Sequence, residues 1–242
     1  MIRFRRYGLA PGVVFASLLA CLGTCALPAQ QLDPSSVIER IDAAVKARLD
    51  NIAGYTDIER YAVYRNNDET HPVAAMRVKT DYEKATGKNY TILSQSGSAI
   101  IRNLVLGTIL DNEKRLNLPG NREGAWITSS NYEMKLEGNG IQHVDGKDCL
   151  ALALIPKRKT PYLIEGTLWV DAKDYSIVQI RGTSSRSASI FSGRTQMMRQ
   201  YALISGFAQA THASAVSNTS LFGKTIVTID YDDYQIKLAP GH

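Results

Sequence analysis

The sequence predicts an α+β fold, in which a curved antiparallel sheet of about eleven strands, an open half-barrel, carries helices on its concave face. Two segments repeat apolar residues at helical spacing, and eleven others have the pattern of short strands separated by turn signals. One of these strands, 149–155, is apolar on both faces and therefore needs cover on each side. The composition, 44% hydrophobic and 21% charged among 242 residues, is that of a globular protein and excludes a disordered chain.

Residues 1–29 are expected to be a secretory signal peptide and not part of the fold. Three arginines near the start precede the apolar run 13–23, and small residues follow, with cleavage expected after Ala26 or Ala29. The apolar run is shorter than the roughly 20 residues that span a bilayer. We therefore expect an exported, periplasmic protein whose remaining residues, 30–242, form a single domain.

Removing this leader changes the charge and the cysteine count. The whole chain has 28 basic and 23 acidic residues, a formal charge of +5, and the loss of three arginines reduces that charge to +2. Cys21 and Cys25 also lie in the leader, so Cys149 remains alone and no internal disulfide is expected. An alternative is a lipoprotein signal, because the run from Leu18 to Cys21 resembles a lipobox that would leave an acylated Cys21 at the outer membrane.

The first helix is expected over 34–52. Its apolar residues recur three and four positions apart while charged residues take the other face. Ser36 and Glu39 fit a capping box at its start, and Gly54 ends the pattern.

Three strands follow, over 55–65, 73–83 and 88–95, because these stretches are rich in tyrosine, valine, threonine and isoleucine. The loop between the last two offers Gly87 for a positive φ, which is typical of a hairpin. A second helix is predicted over 98–116, before Pro119 and Gly120.

The rest of the chain is predicted to be strands. In the stretch 164–171, Ile164, Gly166, Leu168 and Val170 share one face and polar residues share the other, as in an antiparallel sheet with one wet side. The predicted strands are 132–136, 142–144, 149–155, 164–171, 176–182, 197–204, 207–216 and 225–234.

A search for catalytic and metal-binding motifs yields none. The sequence has no G-x-S-x-G, H-E-x-x-H or paired C-x-x-C, and its four histidines are not at metal-ligand spacing. We therefore expect neither a cofactor nor an enzyme. A serine–histidine pair stays open as a third hypothesis, a hydrolase that would use His143 or His212.

The densest basic cluster, Lys157 to Lys159, lies in a loop bounded by two prolines. A solvated loop explains it, and an exported domain of charge +2 has little electrostatic reason to bind nucleic acid. The same loop is a candidate for contact with an anionic membrane surface.

The stretch Gly166 to Asp171, followed by Ser176 to Ile180, resembles the outer-membrane lipoprotein-sorting (LolA-like) superfamily. In that superfamily a strand ending in Trp-x-Asp turns into a strand of the type x-Ile-Val-x-Ile, here Trp169 to Ile180. The order of elements along the exported chain is also similar. The stretches 111–115 and 121–124 are similar to those of an uncharacterised branch of this superfamily.

The resemblance implies a half-barrel whose apolar concavity holds acyl chains in the periplasm. The leading hypothesis is therefore a monomeric, non-catalytic carrier of the acyl chains of lipoproteins or lipids. The alternative is an envelope sensor or scaffold that binds a partner protein with the same fold. If a cavity exists, we expect its walls to be Ile101, Leu104, Val105, Leu152, Leu154, Leu168 and Val178, although a fully packed core would use the same residues.

Overall fold

The computed structural model describes residues 33–66, 68–138, 140–186, 195–219 and 223–240. The predicted leader, with Cys21, lies outside these residues. The helical elements within them are α1 (Pro34–Asn51), α2 (Ala99–Ile101), a π-helix (Arg102–Gly107), α3 (Thr108–Leu116) and a short 3-10 helix (Arg122–Ala125). The strands are β1 (Ile52–Arg65), β2 (Ala74–Glu83), β3 (Gly87–Gly97), β4 (Tyr132–Leu136), β5 (Gln142–Val144), β6 (Lys147–Pro156), β7 (Ile164–Asp171), β8 (Ile177–Ser184), β9 (Gln196–Ile204), β10 (Phe207–Thr219) and β11 (Gly223–Leu238).

All eleven strands of the described residues belong to one antiparallel sheet. Their order is β3-β2-β1-β11-β10-β9-β8-β7-β6-β4, and β5 pairs with β6. Most neighbours are consecutive along the chain, while β1 pairs with the distant β11 over nearly its whole length. Because β3 and β4 end the path, the sheet is not closed. The open half-barrel predicted from the sequence is therefore confirmed.

The sheet curves because several of its ladders are interrupted. Register shifts occur between Thr56 and Ile58, between Trp169 and Val170, and between Ala210 and His212. Such bulges bend a strand and increase its twist.

Asp33, and not Ser36, caps α1. The Asp33 carboxylate accepts hydrogen bonds from the backbone N–H groups of Ser35 and Ser36, and Pro34 takes the first helical position. The predicted capping box at Ser36 and Glu39 is therefore wrong, because the aspartate–proline pair offers a cap one turn earlier.

The second predicted helix is present but irregular. Ser98 caps α2 by accepting a hydrogen bond from the N–H of Ile101, and the π-helix then runs to Gly107 before α3 begins. The irregular turn ends at Gly107, the residue with the weakest helical preference in this segment.

Two hydrophobic cores cover the two ends of the concave face. The α1 core joins Val37 and Ile41 to the inward side chains of β4 and β6–β8, and the α3 core joins Leu106 and Leu110 to β1, β2 and β11. The buried members of the α1 core are Val37, Ile41, Tyr132, Met134, Leu150, Leu152, Leu154, Leu163, Leu168, Val170 and Ile180. Those of the α3 core are Tyr61, Val63, Ala74, Met76, Val78, Leu106, Leu110 and Val227.

Candidate functional site

A cavity of about 430 Å³ lies on the concave side between these cores. The second half of α1 forms one wall, and strands β9, β10 and β11 supply much of the other. Its volume is in the range of sites that bind small molecules. We refer to it as the central cavity.

Much of the wall of the central cavity is apolar or aromatic. Val45 and Leu49 come from α1, and Phe207 comes from β10. Tyr55 stacks on Tyr82 with 4.9 Å between ring centroids and tilts against Tyr234 at 5.7 Å. Burial raises the pKa of Tyr55 to about 12, so its hydroxyl is neutral at physiological pH. Trp126 and Ile127, beside the short 3-10 helix, complete this part of the wall.

Four charged side chains beside the cavity form a cluster between α3 and the sheet, which we call the buried charge cluster: Glu59, Lys88, Glu113 and Arg199. The Nζ of Lys88 lies 3.4 Å from a carboxylate oxygen of Glu59 and 3.5 Å from one of Glu113. Arg199 lies 3.9 Å from the other oxygen of Glu113. Glu59 is fully buried and also accepts a hydrogen bond from the hydroxyl of Tyr61.

The cluster favours the charged forms of Lys88 and Glu113 although both side chains are withdrawn from water. Burial alone would lower the pKa of Lys88, but the neighbouring groups, Glu59 first and then Tyr55, Tyr90 and Glu113, together raise it well above its usual range. Burial would likewise raise the pKa of Glu113, but Lys88 and Arg199 lower it. Because Glu113 lies on α3 and its partners lie on β3 and β9, these charges tie that helix to the sheet.

Asp57 lies on β1 beside this cluster but takes no part in its ion pairs, and the charge of Lys88 only partly offsets its burial. It is 2% exposed, and neither carboxylate oxygen has a hydrogen bond among the described residues. Burial raises the pKa of Asp57 to about 6, and the negative charge of Glu59 adds to the effect. Asp57 is thus the group in this region whose charge depends on pH near neutrality.

Arg48 projects from the last turn of α1 at the wall of the cavity. One of its terminal nitrogens donates to the side-chain oxygen of Gln209, on β10, at 3.0 Å. The basic side chains along the wall outnumber the acidic ones: Arg48, Lys88, Arg122 and Arg199 against Glu113 and Asp174. Acids pair with Lys88, Arg122 and Arg199, so Arg48 is the basic side chain of the wall for which the described residues supply no carboxylate.

The seven residues predicted as cavity walls lie outside the central cavity. Leu152, Leu154 and Leu168 are buried in the α1 core, and Val178 is buried on β8. On the helical segment, Ile101 and Val105 pack against the α3 core, and Leu104 is 59% exposed.

Sequence reasoning missed the polar members of the site. One signal was present, because the inward positions of β1 read Asp57, Glu59, Tyr61 and Val63 at a spacing of two. Acidic residues that continue a buried strand face need partners. Those partners, on β3, α3 and β9, are distant in sequence.

The basic loop at 157–159 has a structural role. Lys157 donates to the carbonyl of Ser129 and Arg158 donates to the carbonyl of Gly124, each at 2.7 Å. These bonds hold the segment that carries Trp126.

The histidines proposed for a hydrolase stand apart from the cavity. His143 lies 3.3 Å from Asp148, and His212 lies 2.7 Å from Asp230. Among the described residues, no hydrogen bond joins either ring to a serine, and no three potential metal ligands converge.

None of the helices in the described residues is long and apolar enough to cross a membrane.

Neither a protein-family model nor a curated protein matches this chain. Solved structures do match. A LolA superfamily protein from Nitrosomonas europaea is 12% identical, with a TM-score of 0.45, over 86% of this chain and 96% of its own. A putative outer membrane lipoprotein-sorting protein domain from Vibrio parahaemolyticus is 14% identical, with a TM-score of 0.46, over 87% and 95%. A DUF1329 family protein from Desulfovibrio piger is 15% identical, with a TM-score of 0.41, over 87% and 95%.

Proposed function

We propose that this protein is a non-catalytic, monomeric carrier that binds acyl chains of lipids or lipoproteins in the central cavity. The observation that carries the proposal is the cavity itself, about 430 Å³ between two packed cores and lined by apolar and aromatic side chains. Burial of an acyl chain there is favourable because it removes apolar surface from water on both partners. Arg48, on the same wall, offers a hydrogen-bond donor to a polar head.

The two cores explain why α1 does not simply collapse onto the sheet. Val37 and Ile41 fix the first half of the helix in the α1 core, while the buried charge cluster holds α3 against the sheet. The second half of α1, from Ala44 to Leu49, therefore lies over the cavity without filling it.

A chain too long for the cavity would need α1 or the α2–α3 segment to move. Leu152, Leu154, Leu168 and Val178 would then contact the chain beneath α1, and Ile101, Leu104 and Val105 would do so beside the second segment. Such an opening is a two-state equilibrium that the ligand shifts by binding the open state more tightly.

The proposed setting is the periplasm, after removal of residues 1–29. The near-neutral remainder argues against a nucleic-acid partner. Contact with a membrane surface belongs to this proposal as the step at which acyl chains enter and leave.

Trp126 provides a direct test of binding. The chain has two tryptophans, and only Trp126 lines the central cavity, since Trp169 bonds Gln142 through its indole N–H elsewhere on the sheet. We expect a brominated fatty acid to quench Trp126 in a saturable way.

Two variants serve as controls in this titration. Trp169→Phe should keep the quenching and Trp126→Phe should abolish it. Quenching that persists in Trp126→Phe and is lost in Trp169→Phe would contradict binding in the cavity.

The edge of the sheet at β3 favours a second candidate, a scaffold that binds a partner protein. From Asn89 to Gly97 this terminal strand has neither a charged residue nor a proline, and Ile92 and Leu93 are exposed. Such an edge can accept an extended peptide as an added strand.

Affinity purification separates the two candidates. One stoichiometric protein partner, captured independently of lipid and lost when Leu93→Lys places a charge on the edge, would favour the scaffold. Capture that is unchanged by Leu93→Lys would exclude this edge as the binding surface.

A further inference from the structure

Arg48 and Gln209 leave two hydrogen-bond donors without acceptors at the wall of the central cavity. Arg48 donates to the amide oxygen of Gln209 at 3.0 Å, so an uncharged group stands where a carboxylate ordinarily would. The Nε of Arg48 and the Nε2 of Gln209 are buried and have no partner among the described residues. Gln209 is 1% exposed, so bulk solvent does not replace the missing acceptor.

The carboxylates near the wall do not pair with Arg48. Glu59 and Glu113 are already paired with Lys88 and Arg199. The remaining acid along the wall, Asp174, accepts a hydrogen bond from the backbone N–H of Ser176. Within the described part of the chain, Arg48 is thus a guanidinium without a carboxylate partner, and a buried polar group in this state indicates a ligand or a cost in stability.

We propose that Arg48 and Gln209 bind the head of an acyl chain that ends in an anionic oxygen acceptor, a carboxylate or a phosphate. The inference rests on the proposed carrier function and adds the chemistry of the head group. A guanidinium presents paired N–H groups in a fork that matches both anions. Val45 and Leu49, on the same helix, continue into the apolar wall, so one ligand can satisfy both parts of the cavity.

The test compares three probes that share a sixteen-carbon chain: palmitate, palmitoyl lysophosphatidate and methyl palmitate. Dissociation constants are measured on the purified protein from the fluorescence of Trp126. We expect at least one anionic probe to bind about tenfold more tightly than the neutral ester, equivalent to about 1.4 kcal/mol. The tighter of the two anions identifies the head as a carboxylate or a phosphate.

Two variants locate the effect. Arg48→Met removes the guanidinium and should abolish the preference for an anion. Gln209→Glu keeps Arg48 but gives it an internal carboxylate, so the preference should also disappear in a protein with no charge removed from α1. Lys46→Met is the matched control, because this lysine lies on the same helix with a side chain 73% exposed and its loss should leave the preference unchanged.

The outcomes separate the two proposals. If methyl palmitate binds as tightly as both anions, or if Arg48→Met and Gln209→Glu keep the preference, the head-group inference is overturned while acyl-chain binding stands. If none of the three probes binds the wild-type protein, the carrier function fails and the inference fails with it.

Discussion

At the scale of single residues, Lys88 is the cation that pairs with both glutamates of the buried charge cluster. Replacing it with methionine leaves Glu59, which is fully buried, without its cationic partner. Breaking a buried ion pair in this way costs roughly 3–5 kcal/mol. We therefore expect Lys88→Met to lower the free energy of unfolding by about that amount in urea at pH 7.

Two further variants separate the charge effect from loss of packing. Lys79→Met, on the neighbouring strand β2 and exposed, should change stability by less than about 0.5 kcal/mol. Adding Glu59→Gln to Lys88→Met should restore part of the lost free energy of unfolding, because it removes the unpaired buried charge. A loss below about 1 kcal/mol for Lys88→Met would contradict this account of the cluster.

Asp57 is expected to make stability depend on pH. Its pKa is about 6 in the folded state against an ordinary 3.8, so the folded state holds the proton more tightly between these values. The free energy of unfolding therefore falls as pH rises from about 4 to about 6, by roughly 3 kcal/mol for this group. Asp57→Asn, which cannot ionise, should be more stable than wild type above pH 7 by up to that amount.

The comparison needs thermal or urea unfolding at several pH values. The advantage of Asp57→Asn should shrink as pH falls below 4 and vanish at about pH 3, where the aspartate is protonated in both states. Asp81→Asn, an exposed change on β2, should show no such trend. An advantage of Asp57→Asn that is constant with pH would point to packing and not to ionisation.

At the scale of elements, a pair of glycines fixes the approach of β7 to β8. Gly166 and Gly182 lie directly opposite each other, and a Cβ atom at Gly182 would lie 2.3 Å from the carbonyl oxygen of Glu165. The strands would have to separate to admit it. We expect Gly182→Ala to destabilise the protein by about 1–3 kcal/mol, as measured by urea unfolding.

Gly140→Ala is the control for that measurement. A Cβ atom at Gly140 meets nothing within 4 Å, so this change should be close to neutral. Equal effects of the two substitutions would show that the contact between β7 and β8 is not responsible.

Helices, strands and turns are predictable here because each depends on the spacing of residues within one short segment. The helix that the sequence predicts over 34–52 is α1, Pro34–Asn51, and the positive φ predicted for Gly87 in the β2–β3 hairpin is confirmed. The site was not predictable to the same degree. An apolar strand such as β6 looks the same in sequence whether a helix or a ligand covers it, and here α1 packs on Leu152 and Leu154.

At the scale of the whole molecule, the site exists because two cores of different origin share one sheet. The pairing of β1 with β11 brings the N-terminal hairpins beside the C-terminal strands, which places Glu59 and Lys88 near Arg199. The cavity lies where the α1 core ends and the α3 core begins. Only the complete order of strands determines this position, and no single segment of the sequence encodes it.

If an acyl chain occupies the cavity beneath α1, native mass spectrometry of protein purified from a bacterial envelope will detect it on the protein. Ala44 lines the cavity, while its neighbour Ala43 is exposed and does not, so Ala44→Phe should fill the space that Ala43→Phe leaves open. We predict one bound acyl lipid on the wild-type protein and on Ala43→Phe, and none on Ala44→Phe. Wild-type protein that is recovered empty and takes up no added fatty acid, or Ala44→Phe with undiminished lipid, would contradict the binding of an acyl chain beneath α1.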